Sequence, residues 1–170
     1  MSDPRAQWLA HSAKKTVAPD ALPSLIERLR REKKSIATIN GSFDLLHAGH
    51  LFMLYEAKQA ADILIVALNS DTSIHAYKSP ERPIIPLALR VEMMTAIEFV
   101  DFVTWFDEVD PRGILEKIRP DVHVNGAEYG ENCVEADTVK KHGGRLLLLP
   151  RIGGLATSEI INKIRNLKTP

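Results

Sequence analysis

The sequence predicts an α/β fold, a single doubly wound domain built on five parallel strands, and three observations carry that expectation. Five short apolar runs punctuate the chain: SIATIN (35–40), DILIVALN (62–69), DFVTWF (101–106), DVHVN (121–125) and RLLLLP (145–150). Ile, Val and Leu crowd these runs with little strict alternation, which is how strands buried on both faces read. Helix-like segments lie between and after them, at about 49–61, 86–97, 111–118, 134–142 and 158–167. Strands alternating with helices build βαβ units around a parallel sheet.

Taken in order, residues 1–20 mix Pro, Ser and charge without a clear period and are expected to form an N-terminal helical arm, with Trp8 and Leu9 placed to dock it on the body or on a second subunit. Residues 21–170 form the domain. PSLIERLRREKK, from Pro23, is an amphipathic helix whose stripe is Leu25, Ile26 and Leu29 and whose basic end suits its C-terminus. Met53, Leu54, Tyr55, Met93 and Met94 fall on helical patterns and are expected in the core, with Phe102, Trp105 and Phe106 as strand and core residues. Cys133 has no catalytic companion and is read as packing. His11, His75, His123 and His142 show no partner in the sequence.

Composition narrows the function. The 170 residues hold 22 Lys+Arg against 22 Asp+Glu, so no whole-chain field recruits nucleic acid and any phosphate binding is local. The lone Cys133 excludes an internal disulfide and fits a reducing compartment. No stretch approaches the roughly 18 apolar residues of a membrane span. MSDPRAQWLAHSAKK has no apolar core of a secretory signal. A cytoplasmic protein without nucleic-acid or membrane partners is expected.

In doubly wound sheets ligands bind beyond the carboxyl ends of the strands, and the unusual residues gather there. NGSFDLLHAGH (40–50) follows the first run. Gly41 permits a sharp turn or close ligand approach. Gly49 sits near a helix start, where backbone N–H groups and the helix dipole favour phosphate. His47 and His50 are placed to donate to phosphate oxygens or to supply positive charge to a transition state. Zinc is the rival, but two histidines are a thin ligand set, and no metal ligands are assigned. The dinucleotide fingerprint, the P-loop and the G-x-S-x-G elbow are all absent.

NGSFDLLHAGH resembles the [TN]-G-x-F-D-x-x-H-x-G-H motif of the nucleotidyltransferase superfamily that includes the cytidylyltransferases. The similarity runs from about Thr16 to Ile164, through ADILIVALNSD, ERPIIPLALR, IRPDVHVNGAEY, GGRLLLLP and TSEIINKI. These segments look like one branch, the adenylyltransferases that activate D-glycero-D-manno-heptose 1-phosphate for lipopolysaccharide synthesis, in the form that stands without a fused sugar kinase. The resemblance implies a Rossmann-like domain, Mg²⁺, transfer of a nucleoside monophosphate from ATP to a sugar 1-phosphate, and a homodimer. It implies that His47 and His50 contact the triphosphate, with Ser42 and Phe43 in the same cavity. Asp44 is expected to order its loop or to help place the acceptor and metal.

The second loop, NSDTSIHAYKSPERP (69–83), carries Lys78 and Arg82 as phosphate clamps, with Lys78 grouped with the catalytic histidines, and Asp71 as a candidate for acceptor hydroxyls or a cap. Arg90 matches a family position on the acceptor side. NGAEYG supplies Asn125, Gly126, Glu128 and Tyr129 to the base and ribose side; Asn125 stands where relatives carry Lys, and Glu128 where they carry Asp. In GGLATSEII, Thr157 and Ser158 match hydroxyls that meet phosphate at a helix N-terminus, and Ala156 replaces the first one. A cytidylyltransferase acting with CTP on glycerol 3-phosphate or another phosphorylated alcohol remains open, as does a nucleotide-binding protein without turnover.

Overall fold

A computed structural model describes residues 3–150 and 157–167. Its strands are β1 (Ile36–Gly41), β2 (Ile63–Asn69), β3 (Phe102–Phe106), β4 (Val122–Gly126) and β5 (Arg145–Leu149). All pair in parallel, in the order β3-β2-β1-β4-β5. The order runs outward from β1 in both directions, so the reversal lies between β1 and β4. This is the five-stranded doubly wound sheet expected from the apolar runs.

The helices are α1 (Pro4–Ala13), α2 (Leu22–Arg31), α3 (Ala48–Gln59), α4 (Asp71–Tyr77), α5 (Leu87–Thr95), α6 (Arg112–Ile118), α7 (Ala136–Lys141) and α8 (Thr157–Arg165), with one 3-10 turn at Ala127–Tyr129. Strand residues alternate between two cores. Ala37, Ile39, Leu64, Val66 and Leu68 face Leu54 of α3 and Val91 and Met94 of α5. Ile36, Ile65 and Ala67 face Leu25, Ile26 and Leu29 of α2, Leu115 of α6 and Val139 of α7. Each fully buried Leu or Ile contributes roughly 1.5–3 kcal/mol, and with both faces covered the strands carry apolar residues on both, which hides the period of two.

Several elements differ from expectation. Residues 71–77 form a helix inside the polar loop: Ser70 caps it, accepting from Ser73 N–H, and Asp71 opens its first turn. Only Ser73 and Ile74 are buried on it, too little to show a period. The N-terminal arm, by contrast, is helical as expected and docks on the body, at α5 of its own chain. Arg5 and Trp8 both donate to the Glu92 carboxylate, and Ser12 Oγ lies 2.8 Å from Thr95 Oγ1. Residues 15–17 then bridge to β3. Tyr55, expected in the core, is 49 % exposed and packs edge-on against Phe99. Trp105, as expected, is a strand residue packed against the core, and it is half-buried. Among the described residues no helix is long and apolar enough to cross a membrane.

Candidate functional site

A cavity of about 380 Å³ opens at the carboxyl ends of β1, β2 and β4, over the reversal of strand order where such sheets bind ligands. Of the residues singled out in the sequence, Gly41, Ser42, Phe43, His50, Lys78, Asn125, Gly126, Glu128, Tyr129 and Thr157 line it. His47, Gly49, Asp44, Asp71, Arg82, Arg90 and Ser158 are not among its lining residues. Ala156 and the rest of 151–156 lie outside the described residues.

The β1–α3 corner is built from within. Phe43 adopts φ +44°, a left-handed conformation unusual for a side chain with a Cβ, and its buried ring folds back beneath β1. A Cβ at Gly41 would come 3.2 Å from that ring, so glycine lets the strand end and the turn pack together. His47 is extended at the N-cap of α3, and its Nδ1 accepts from His50 N–H at 3.4 Å. The two imidazoles stack with centroids 3.8 Å apart, and the Phe43 ring centroid lies 5.0 Å from that of His50.

Burial first, then the neighbouring His47 and Lys78 charges, pushes the His50 imidazole down to about 4. It is therefore neutral at pH 7 and brings a single N–H donor, which suits the first of its two expected roles, donation to a phosphate oxygen. His50 Nδ1 is buried without a hydrogen-bond partner. Lys78 faces the same corner, its Nζ donating to Ser42 Oγ at 3.0 Å. Burial and then the Arg82 charge lower its pKa.

The remaining charged residues brace this corner. Asp44, 1 % exposed, accepts from Arg82 Nε at 2.7 Å, Ile84 N–H at 3.0 Å and Ile85 N–H at 2.8 Å, and pairs with Arg82 Nη2. It therefore orders a loop, but the loop it orders is 82–85, across from its own. Arg90 is fully buried. Its guanidinium donates to the carbonyls of Ser42, Asn69 and Ile85 and to the Asp71 carboxylate. Asp71 also accepts from Leu87 N–H at the start of α5. Arg90 thus ties the ends of β1 and β2 to the loop before α5, with four of its five N–H donors engaged and the side chain fully buried, away from an acceptor phosphate. Arg82 is likewise engaged with Asp44.

On the β4 side, the Asn125 Oδ1 accepts from Gly126 N–H at 2.9 Å, and its Nδ2 reaches Glu135 Oε2 at 3.4 Å. The Glu128 carboxylate folds over Gly126, where a Cβ would meet it at 2.3 Å. Tyr129 is 64 % exposed. Thr157 opens α8 at the cavity edge. The cavity also takes residues that sequence reasoning passed over: Asn40 and Asn69, whose positions at strand ends were a usable signal, and Tyr77, Asp110, Val134 and Glu135, which carry none. Glu135 arrives only because residues 127–135 fold back towards β4. Among the described residues, no group of three His, Cys, Asp or Glu could hold a metal.

The cytidylyltransferase-like family matches residues 38–148. The chain is 40 % identical over 147 residues to the bifunctional protein HldE of Geotalea uraniireducens, covering 86 % of this chain and 30 % of that protein. It is 38 % identical over 161 residues to the bifunctional protein HldE of Methylobacillus flagellatus, covering 94 % and 33 %. The chain thus spans about a third of the length of the curated relatives it matches. Among solved structures it is similar to a lipopolysaccharide core biosynthesis protein from Thermoplasma volcanium, with a TM-score of 0.55 and 24 % identity over 70 % of this chain and 97 % of that one. It is also similar to pantoate-beta-alanine ligase from Francisella tularensis, with a TM-score of 0.63 and 16 % identity over 89 % and 78 %. At these identities the structures speak for the fold alone.

Proposed function

The chain belongs to the cytidylyltransferase-like family, and from that premise we propose that it is a nucleotidyltransferase. In this reading it transfers the nucleoside monophosphate of ATP to a heptose 1-phosphate and releases pyrophosphate, a step towards a sugar nucleotide for lipopolysaccharide. The observation that carries it is the β1–α3 corner, where the buried, neutral His50 stacks on His47 beside Lys78 at a helix N-terminus. The choice of ATP and heptose 1-phosphate rests on the resemblance of the segments outside the motif.

In the transfer, an oxygen of the acceptor phosphate attacks the α-phosphorus in line. The new O–P bond forms as the bond from the α-phosphorus to its bridging oxygen breaks, and pyrophosphate leaves with that electron pair. Such chemistry asks for positioning and charge stabilisation and needs no covalent enzyme intermediate. His50 donates to a phosphoryl oxygen; as negative charge gathers there, it opposes the shifts that keep the imidazole neutral. Lys78 moves its ammonium from Ser42 to the phosphates. The N-terminus of α3 adds the positive end of its dipole. Arg90, Asp44 and Asp71 hold these groups in place.

Mg²⁺ belongs to this proposal. It needs no protein cage, since it keeps waters and binds through substrate phosphates with one or two carboxylates, and Asp110 and Glu128 are cavity carboxylates that would face it. Bound there, it would neutralise triphosphate charge. A homodimer and a cytoplasmic location are part of the same proposal; sedimentation of the purified chain tests the former.

The experiment is a panel of nucleoside triphosphates against phosphorylated sugars and alcohols, read by pyrophosphate release. Release with ATP and heptose 1-phosphate supports the proposal. Release with CTP and glycerol 3-phosphate redirects it to a cytidylyltransferase, and nucleotide binding without release from any pair contradicts transfer.

A further inference from the structure

Glu135 is buried, 5 % exposed, yet it is among the residues that line the cavity, and its carboxylate reaches Asn125, which lines it too. Its donors are weak: Asn125 Nδ2 at 3.4 Å and the Cys133 thiol. Among the described residues no Lys, Arg or His forms an ion pair with it. Asp44, also buried, has a guanidinium and two backbone N–H groups. A buried carboxylate loses hydration worth several kcal/mol and needs donors in return; its two oxygens accept about four hydrogen bonds. Glu135 therefore has acceptor capacity turned towards whatever fills the cavity.

Charge selects what that is. Lys78 and His50 line the same cavity and attract phosphates, whereas Glu135, with no cation paired to it, repels them. The lining also includes the apolar Val109, Pro111 and Val134, which suit a base better than a polyol. We infer that Glu135 is a specificity-determining residue, whose carboxylate accepts hydrogen bonds from an uncharged donor of the nucleoside, a ribose hydroxyl or the exocyclic amine of the base. This rests on the nucleotidyl-transfer reading above. Asn125 tunes it: being neutral, it leaves the Glu135 charge available, whereas a cation at 125 would pair with it.

Calorimetry with Mg²⁺ and no acceptor tests this, using ATP, 2′-deoxy-ATP, 3′-deoxy-ATP and inosine triphosphate. The wild-type protein is expected to bind at least one analogue about ten- to a hundredfold more weakly than ATP, the range for one hydrogen bond to a charged group. The deoxy compounds identify a hydroxyl donor, and inosine triphosphate identifies the amine. Glu135→Ala should bind ATP as weakly as that analogue, and Asn125→Lys should level the two in the same way. Glu135→Gln, which keeps the shape, serves if the alanine variant fails to fold, and should at least halve the logarithm of the discrimination. Undiminished discrimination in these variants overturns the inference, as does an effect confined to the acceptor KM or to Mg²⁺ dependence. A wild-type protein that binds no nucleotide overturns the transfer reading together with this one.

Discussion

The two walls of the cavity are built by different means. On the β1–β2 side, Arg90, Asp44 and Asp71 tie strand ends and loops together through charge-assisted bonds of 2.7–3.0 Å. On the β4 side, a 3-10 turn, a 3.4 Å bond between Asn125 and Glu135 and a largely exposed Tyr129 do the corresponding work. The first wall is preorganised, as electrostatic stabilisation of a developing charge requires. The second has room to adjust to a nucleoside. Rigidity is placed where phosphate chemistry would occur, and tolerance where recognition would.

The contrast is broken most severely at Asp44. Asp44→Ala leaves Arg82 and two backbone N–H groups without their carboxylate. Removing one partner of a buried pair costs about 3–5 kcal/mol, read as a fall in urea-unfolding free energy. A loss under 1 kcal/mol would mean that this wall is not braced as described. Next, His50→Ala should cut turnover by a factor on the order of 10² or more, by analogy with loss of one oxyanion donor, with the unfolding midpoint kept near wild type. Near-normal turnover would remove His50 from the chemistry.

Acid gives a smaller, graded effect. His50 and the fully buried His123, whose Nδ1 meets Thr38 Oγ1 at 2.8 Å, are both held down to about 4, in each case chiefly by burial. Between roughly pH 6.5 and 4 the unfolded chain binds protons that the folded one refuses, so stability falls as pH drops through that window. Each group adds a slope of up to about 1.4 kcal/mol per pH unit. His123→Gln should flatten the slope by one proton, and an unchanged slope would contradict the burial assigned to it. The smallest effect belongs to the second wall: Asn125→Ala should cost under about 1 kcal/mol, because the bond it loses is long.

What could be read in advance follows from how local each signal is. The strands were legible because burial on both faces leaves continuous Ile, Val and Leu, and the β1–α3 corner because Gly41, His47 and His50 act within one turn of chain. Residues 71–77 were not, since a seven-residue helix burying two side chains has no period to show. The bracing role of Arg90 was not legible because its partners, three carbonyls and Asp71, come from three separate segments. Glu135 was invisible for the same reason: its place depends on a fold-back that no local pattern encodes. Long-range burial of charge, more than secondary structure, is what the sequence conceals here.

The central claim is transfer at the α-phosphorus, and isotope position tests it directly. With ATP labelled at the α-phosphate and heptose 1-phosphate as acceptor, the label should appear in the sugar nucleotide, while a γ-label should leave in pyrophosphate. Label passing from the γ-position to the sugar, or from neither, would contradict the account.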